Sequence, residues 1–160
     1  PEARARFVIE VARAVAAEIG AERVGIRISP AHNIQDVWET DDAETRATYE
    51  ALVSGLAPLG LAYLSVLHAD PAGDLIQNLR RTFGGTFIIN SGFSSVTTRD
   101  EAVSVVENNI ADLVAVGRPV IANPDLVTRW EKGADENEVD QASVYGGGET
   151  GYTDYPFLQD

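Results

Sequence analysis

Two spacings of apolar residues take turns along this chain. From residue 1 to 19, Phe7, Val11, Val15 and Ile19 recur every four positions, with Val8 and Ala12 beside them. That pattern predicts a helix with one buried stripe, closed by Gly20. Val24-Gly25-Ile26-Arg27-Ile28 is a short apolar run with β-branched residues, stopped by Ser29-Pro30, and it reads as a buried strand. The pair then repeats. Helical spacing returns over residues 43–59, where Tyr49, Leu52, Val53 and Leu56 share a face. It returns again over 74–83, over 98–109 with Ala102, Val105 and Val106 on one side, and around 124–132, with Asn123 as a candidate cap. Strand-like runs cover 61–67, 86–90 and 112–116.

The strand runs are continuously apolar rather than alternating, which indicates a parallel sheet covered by helices in an α/β chain. From about residue 133 the character changes. The chain becomes acidic, then Gly-rich at Tyr145-Gly146-Gly147-Gly148, then aromatic at Tyr152, Tyr155, Pro156 and Phe157. Residues 1–132 thus read as βα units and 133–160 as a tail. Four βα units do not close an eight-stranded barrel, which takes roughly 250 residues. A small doubly wound sheet and half a barrel both remain open, and an isolated half would leave edge strands and one sheet face unpaired.

Composition removes several classes of function. Twelve basic against 25 acidic residues give a net charge of −13, which repels a phosphate backbone and argues against nucleic acid. Cysteine is absent, so disulfides, thiolate metal sites and cysteine nucleophiles are excluded, and a reducing, cytoplasmic setting fits. No apolar run approaches the roughly 18 residues of a membrane span.

In parallel α/β chains, ligands bind where strands end. Arg27 stands inside an apolar run, so it either faces a ligand or makes an internal ion pair. The third run is followed by Asn90-Ser91-Gly92-Phe93-Ser94-Ser95 and the fourth by Gly117-Arg118-Pro119. Glycine in such loops lets an anion approach the backbone, and Arg118 could grip a phosphate. No Walker or Gly-x-Gly-x-x-Gly motif is present. His32 and His68 follow strand runs but form no cluster with metal-ligand spacing, and they read as solvated or supporting groups. The acidic stretch 131–140 reads as solvated surface. Tyr152 and Tyr155 could stack on a ligand or simply pack. The single lysine, Lys132, lies far from the strand ends, which makes Schiff-base chemistry and an aldolase-like half-barrel poor readings.

In this order the segments resemble the Old Yellow Enzyme family of FMN-dependent ene-reductases. The residues that carry the resemblance are Arg4-Ala5-Arg6-Phe7, Val24 to Pro30, Leu61-Ala62-Tyr63-Leu64, Ile89 to Gly92, Val116-Gly117-Arg118-Pro119 with Ala122-Asn123-Pro124-Asp125-Leu126, and Tyr145-Gly146-Gly147-Gly148 with Gly151-Tyr152-Thr153-Asp154-Tyr155-Pro156. The resemblance implies the second half of a TIM (β/α)8 barrel, strands five to eight, with the tail over the active-site side. It places Arg27 at the pyrimidine edge of the flavin, and Ser91, Gly92, Gly117 and Arg118 at the FMN phosphate. Tyr152 falls on the substrate side. It implies a ping-pong cycle in which NAD(P)H reduces FMN, and a hydride then reaches the β-carbon of an activated alkene as a proton reaches the α-carbon.

The same resemblance assigns the proton donor and the substrate-anchoring pair to the amino-terminal half, so no catalytic residue is expected here, and His32 and His68 do not match that pair. The loop Phe93-Ser94-Ser95-Val96 is longer than in many relatives, and residues 32–38 fall where the substrate mouth is expected. A second polypeptide carrying the amino-terminal half is therefore expected as partner, with this chain inactive alone. The alternative is a non-catalytic half-barrel that binds a phosphate-bearing ligand as a homodimer.

Overall fold

The structure, a computed structural model, describes residues 1–92, 95–146 and 148–159. Phe93, Ser94 and Gly147 lie outside the described residues, and with them part of the Gly92–Ser95 loop and of the Gly-rich run. The chain divides into two compact units, Pro1–Gly92 with Ser104–Ala115, and Phe93–Val103 with Val116–Asp160.

The first unit holds α1 (Glu2–Ile19), β1 (Gly25–Ile28), α2 (Asp42–Leu56), β2 (Tyr63–Leu67), α3 (Asp74–Phe83), β3 (Phe87–Asn90) and β4 (Leu113–Val114), with short 3-10 turns at Ala21–Arg23 and Ala57–Leu59. Among the described residues, these strands form one sheet in the order β1-β2-β3-β4, parallel throughout. Local chemistry sets the boundaries. Gly20 takes φ 92° and stops α1. Asp41 accepts a hydrogen bond from Glu44 N at 2.9 Å and caps α2. Pro58 lacks the N–H that α2 would need, so the helix gives way to a 3-10 turn after Leu56.

The register sorts the sheet into two faces. Ile28, Val66, Ile89 and Val114 align across it, as do Ile26, Leu64 and Phe87. These side chains join Leu52, Val53, Leu56, Ile76, Leu79 and Phe83 from the helices in one apolar core. Arg27, Ser65, Ile88 and Leu113 align on the other face. There Arg27 is exposed, Leu113 is 51% exposed, and Tyr63 lies over Gly25, where any side chain would meet its ring. Within the first unit, the described helices therefore pack on one face of the sheet.

The second unit contains α5 (Arg118–Ala122), α6 (Leu126–Lys132) and the tail. The intervening helix α4 (Arg99–Glu107) is capped by Thr98, whose hydroxyl accepts from Glu101 N at 3.2 Å. No helix among the described residues is long and apolar enough to cross a membrane.

Several expectations are corrected. The stripe Phe7, Val11, Val15 and Ile19 is exposed, Phe7 by 74%. The buried side of α1 is instead Ala5 and Ala12, with Val8, Ile9 and Ala16 partly buried. Ile9 sits against Gly55 of α2. Small residues bring the two helices close, and at 100° per residue this turns the larger side chains away. Val106 is exposed while Val105 is buried. Asn123 does not cap a helix at Pro124. A separate helix, α5, precedes it, α6 begins at Leu126, and Asn123 is only 1% exposed. The strands are shorter than their apolar runs: the first one or two residues of each run lie outside the paired ladder, and β4 also stops before Ala115 and Val116.

Candidate functional site

In the first unit, the carboxyl ends of β2, β3 and β4 are joined by one residue, Asn90, through its side chain and its carbonyl. Asn90 Nδ2 donates to Ala115 O at 2.8 Å, and Asn90 Oδ1 accepts from Gly92 N at 3.1 Å. Asn90 O also accepts from His68 N at 3.0 Å. Asn90 thereby fixes the path of Ser91 and Gly92, and Gly92 adopts φ 108°, a conformation that favours glycine. The sequence offered one signal for this role: an amide closing an apolar strand just before Ser-Gly.

Arg27 comes one residue before the end of β1 and points to the uncovered face. Among the described residues, no ion pair or hydrogen bond engages its guanidinium. The internal ion pair considered from sequence is therefore not found among the described residues, which leaves the guanidinium suited to an anionic ligand. His68 Nδ1 accepts from Asp70 N at 3.1 Å, so that nitrogen is occupied in shaping the loop.

In the second unit, Gly117 and Arg118 open α5, and both are exposed. Among the described residues, and its chain neighbours apart, no atom stands within 4 Å of where a Cβ at Gly117 would be, which leaves its backbone approachable. The tail is fastened by a polar clasp that sequence reasoning missed. Asn123 Oδ1 accepts from Asn137 N at 2.7 Å, and its Nδ2 donates to Pro119 O at 2.8 Å. Arg129 Nε pairs with Asp125 Oδ1 at 2.7 Å, and its Nη2 donates to Pro156 O at 3.0 Å. Asp125 Oδ2 accepts from Leu158 N at 2.6 Å. That bond from Leu158, with the Arg129 guanidinium, holds the Asp125 carboxyl below the usual carboxylate range.

Tyr152 is 60% exposed at a recess of about 630 Å³ lined by Ile121, Ser143, Val144, Tyr145 and Gly148. Its neighbour Gly151 has φ 72°, and a Cβ there would run into the Ser143 side chain. Glycine is thus required to set Tyr152 where it is. Tyr155 packs instead: its hydroxyl accepts from Asp140 N at 2.8 Å.

Parallel βα units that carry exposed polar groups at strand ends define an α/β chain of the type that binds ligands there. The model of the NADH:flavin oxidoreductase / NADH oxidase family matches residues 1–137. The chain belongs to that family, the Old Yellow Enzyme family of TIM-barrel flavoproteins, whose cofactor is non-covalent FMN with NAD(P)H as reductant. It is 38% identical to 12-oxophytodienoate reductase 1 of Oryza sativa subsp. japonica over 99% of this chain and 43% of that protein. Among solved structures, morphinone reductase in complex with tetrahydroNAD is similar, with 41% identity, a TM-score of 0.82, and coverage of 98% of this chain and 41% of that one. The old yellow enzyme from Trypanosoma cruzi is 30% identical, with a TM-score of 0.83 over 97% of this chain and 40% of that chain. The chain spans less than half the length of these relatives.

Proposed function

We propose that this chain is the second half of an FMN-dependent ene-reductase, strands five to eight of its barrel, and that an amino-terminal half completes it. The observation that carries this reading is the one-sided sheet. Its helix-covered face is a finished core, while the opposite face presents Arg27 from β1 together with exposed Tyr63 and Leu113. A barrel interior is packed by side chains from all eight strands, and four strands leave such a face open.

The residues present fit FMN. FMN, when bound, supplies the hydride chemistry. Arg27 offers an open guanidinium for the pyrimidine edge and for the negative charge that reduction places there. Ser91 and Gly92, on a path set by Asn90, offer backbone groups to the phosphate. Gly117 offers approachable backbone and Arg118 a cation for the same group. Tyr152 borders the substrate. No residue of this chain is assigned the proton donor, and the chain alone is inactive. The substrates are small alkenes activated by a carbonyl or nitro group.

Native mass spectrometry of the purified protein tests this. The expected result is that the 17.2 kDa chain assembled with the amino-terminal half carries one FMN. Arg27→Ala in that assembly is expected to weaken FMN binding about ten- to a hundredfold, as for a lost charged hydrogen bond. A 17.2 kDa monomer or homodimer that binds FMN without reducing alkenes would replace the proposal with the phosphate-binding half-barrel.

A further inference from the structure

Gly25 of β1 and Tyr63 of β2 are partners in the sheet register, and one is shaped to the other. A Cβ built on Gly25 would fall onto Cζ, Cε1 and Cε2 of the Tyr63 ring, nearer than any real Cβ stands to another atom. The three carbons are nearly equidistant from that point, with Cζ nearest, which sets it over the face of the ring at the phenol end. The ring therefore lies across β1, in the volume that a side chain at position 25 would fill. Gly25 is not among the glycines of positive φ, so glycine is required here for space and not for backbone conformation.

Residues two apart on a strand share a face. Arg27 thus rises from the same face as this ring, about 6.6 Å further toward the carboxyl end. Its register partner Ser65 is short and leaves room beside it. Among the described residues the guanidinium has no ion pair or hydrogen bond. A long side chain so little tethered samples many rotamers, and a ligand that selects one loses affinity by it. The Tyr63 ring removes the rotamers that fold back toward the amino end of β1. Those that remain lead over Ser65 and toward the carboxyl ends, where Ser91 and Gly92 lie.

We propose that Tyr63 is a positioning residue for Arg27: its ring, laid over Gly25, is a floor that keeps the guanidinium at the carboxyl end of the sheet, ready for the pyrimidine edge of FMN. The FMN part rests on the flavoprotein reading above; the placing of the ring on Gly25 does not. The role belongs to the ring, so it survives loss of the hydroxyl.

Wild type, Tyr63→Phe and Tyr63→Ala, each with and without Arg27→Ala, test it. In the chain itself, proton NMR reads the placing of the ring. A Gly25 Hα over the ring face is expected upfield, by ring current, in wild type and Tyr63→Phe, and at an ordinary glycine position in Tyr63→Ala. In the assembly with the amino-terminal half, FMN titration is expected to show Kd about tenfold higher in Tyr63→Ala, the ratio that one net hydrogen bond represents. The two-electron midpoint potential of the bound flavin should fall by about 30 mV, a further tenfold loss for the reduced form. Tyr63→Phe should match wild type in both, and in the Arg27→Ala background Tyr63→Ala should change neither. If Tyr63→Ala does not assemble, Tyr63→Leu, too short to cover Gly25, takes its place. An unshifted Gly25 Hα in wild type overturns the floor. Unchanged FMN affinity and potential in Tyr63→Ala, or equal losses with and without Arg27, overturn the positioning role and leave Tyr63 a packing residue. If Arg27→Ala alone leaves FMN affinity unchanged, Arg27 is not in the flavin site and the positioning role falls with it, while the Gly25 shift still judges the floor.

Discussion

The two units of this chain are held together by different physics. In the first, Leu64, Val66, Phe87, Ile76 and Leu79 are shielded almost completely, and regular helices and strands follow one another. In the second, two short helices and an irregular tail are joined by amides, a carboxylate and a guanidinium. Apolar burial is non-directional and tolerates relaxation. A polar clasp is directional, and each of its members becomes costly once a partner is removed. Oxygen and nitrogen atoms at fixed places are what hold an irregular segment in a defined path. A tail that must present Tyr152 at one position is therefore better held by such bonds than by packing.

The most severe way to break the contrast is through the core of the first unit. Leu64→Ala is expected to cost about 2–5 kcal/mol, because the site at the centre of β2 cannot collapse fully around the cavity. Urea unfolding followed by circular dichroism measures it. The midpoint should fall, and the amide protection of β1–β3 should fall together, as expected of one cooperative core.

The second unit should respond to a smaller, polar change. Asn123→Ala removes its bonds to Asn137 N and Pro119 O at a buried position, with an expected cost of about 1–3 kcal/mol for the groups left without partners. Hydrogen exchange should show Asn137 N and the 154–158 backbone opening, while β1–β3 keep their protection. Equal loss in both units would show that the clasp and the core are one cooperative body. The same clasp fixes an acid dependence. The folded carboxyl of Asp125 lies below its ordinary value, so its contribution is complete above the usual carboxylate range. It is lost as pH falls through the lowered folded value. The protection factor of Leu158 N, taken against the intrinsic exchange rate at each pH, should fall on acidification in the wild type, and Asp125→Asn should flatten that response.

The difference between the units also explains what could be read from the sequence. The parallel βα order was legible because period and apolar runs report burial, and α3 runs over Asp74–Phe83 as its spacing indicates. The family was legible from motif order. The exposed side of α1 was not, since apolar spacing identifies a stripe without saying which neighbour covers it. Ala5 and Ala12 won the core because small residues let α1 approach Gly55 of α2. The clasp was illegible for another reason. Asn123, Asp125, Arg129, Asn137 and Pro156 come together through a tail with no periodicity, and a polar residue's partner is not encoded in its spacing. Arg27 fell between these cases. An arginine in an apolar run signals something, but only the register that aligns it with Ser65 and leaves it on the uncovered face decides which.

The smallest change probes the exception within the first unit, where one polar clasp sits on the apolar frame. Tyr49→Phe removes the phenol that donates to Glu39 and keeps the ring that packs in α2. The expected cost is about 0.5–1.5 kcal/mol, that of one net hydrogen bond. The phenol also fixes the sign of an alkaline dependence. Its folded value is raised by burial and by Glu39, so its contribution is complete below the ordinary tyrosine range. It is lost as pH rises above that range towards the raised folded value. Chymotrypsin cleavage at Trp38, taken relative to an unstructured peptide at the same pH and followed from neutral pH to the onset of alkaline unfolding, should rise in the wild type. Tyr49→Phe should start higher and respond less. The two polar clasps would then loosen at opposite ends of the pH scale, the tail in acid and the β1–α2 loop in alkali. An alkaline response unchanged by Tyr49→Phe would assign it to other groups and leave Glu39 held by Ala31 N and Asn33 Oδ1.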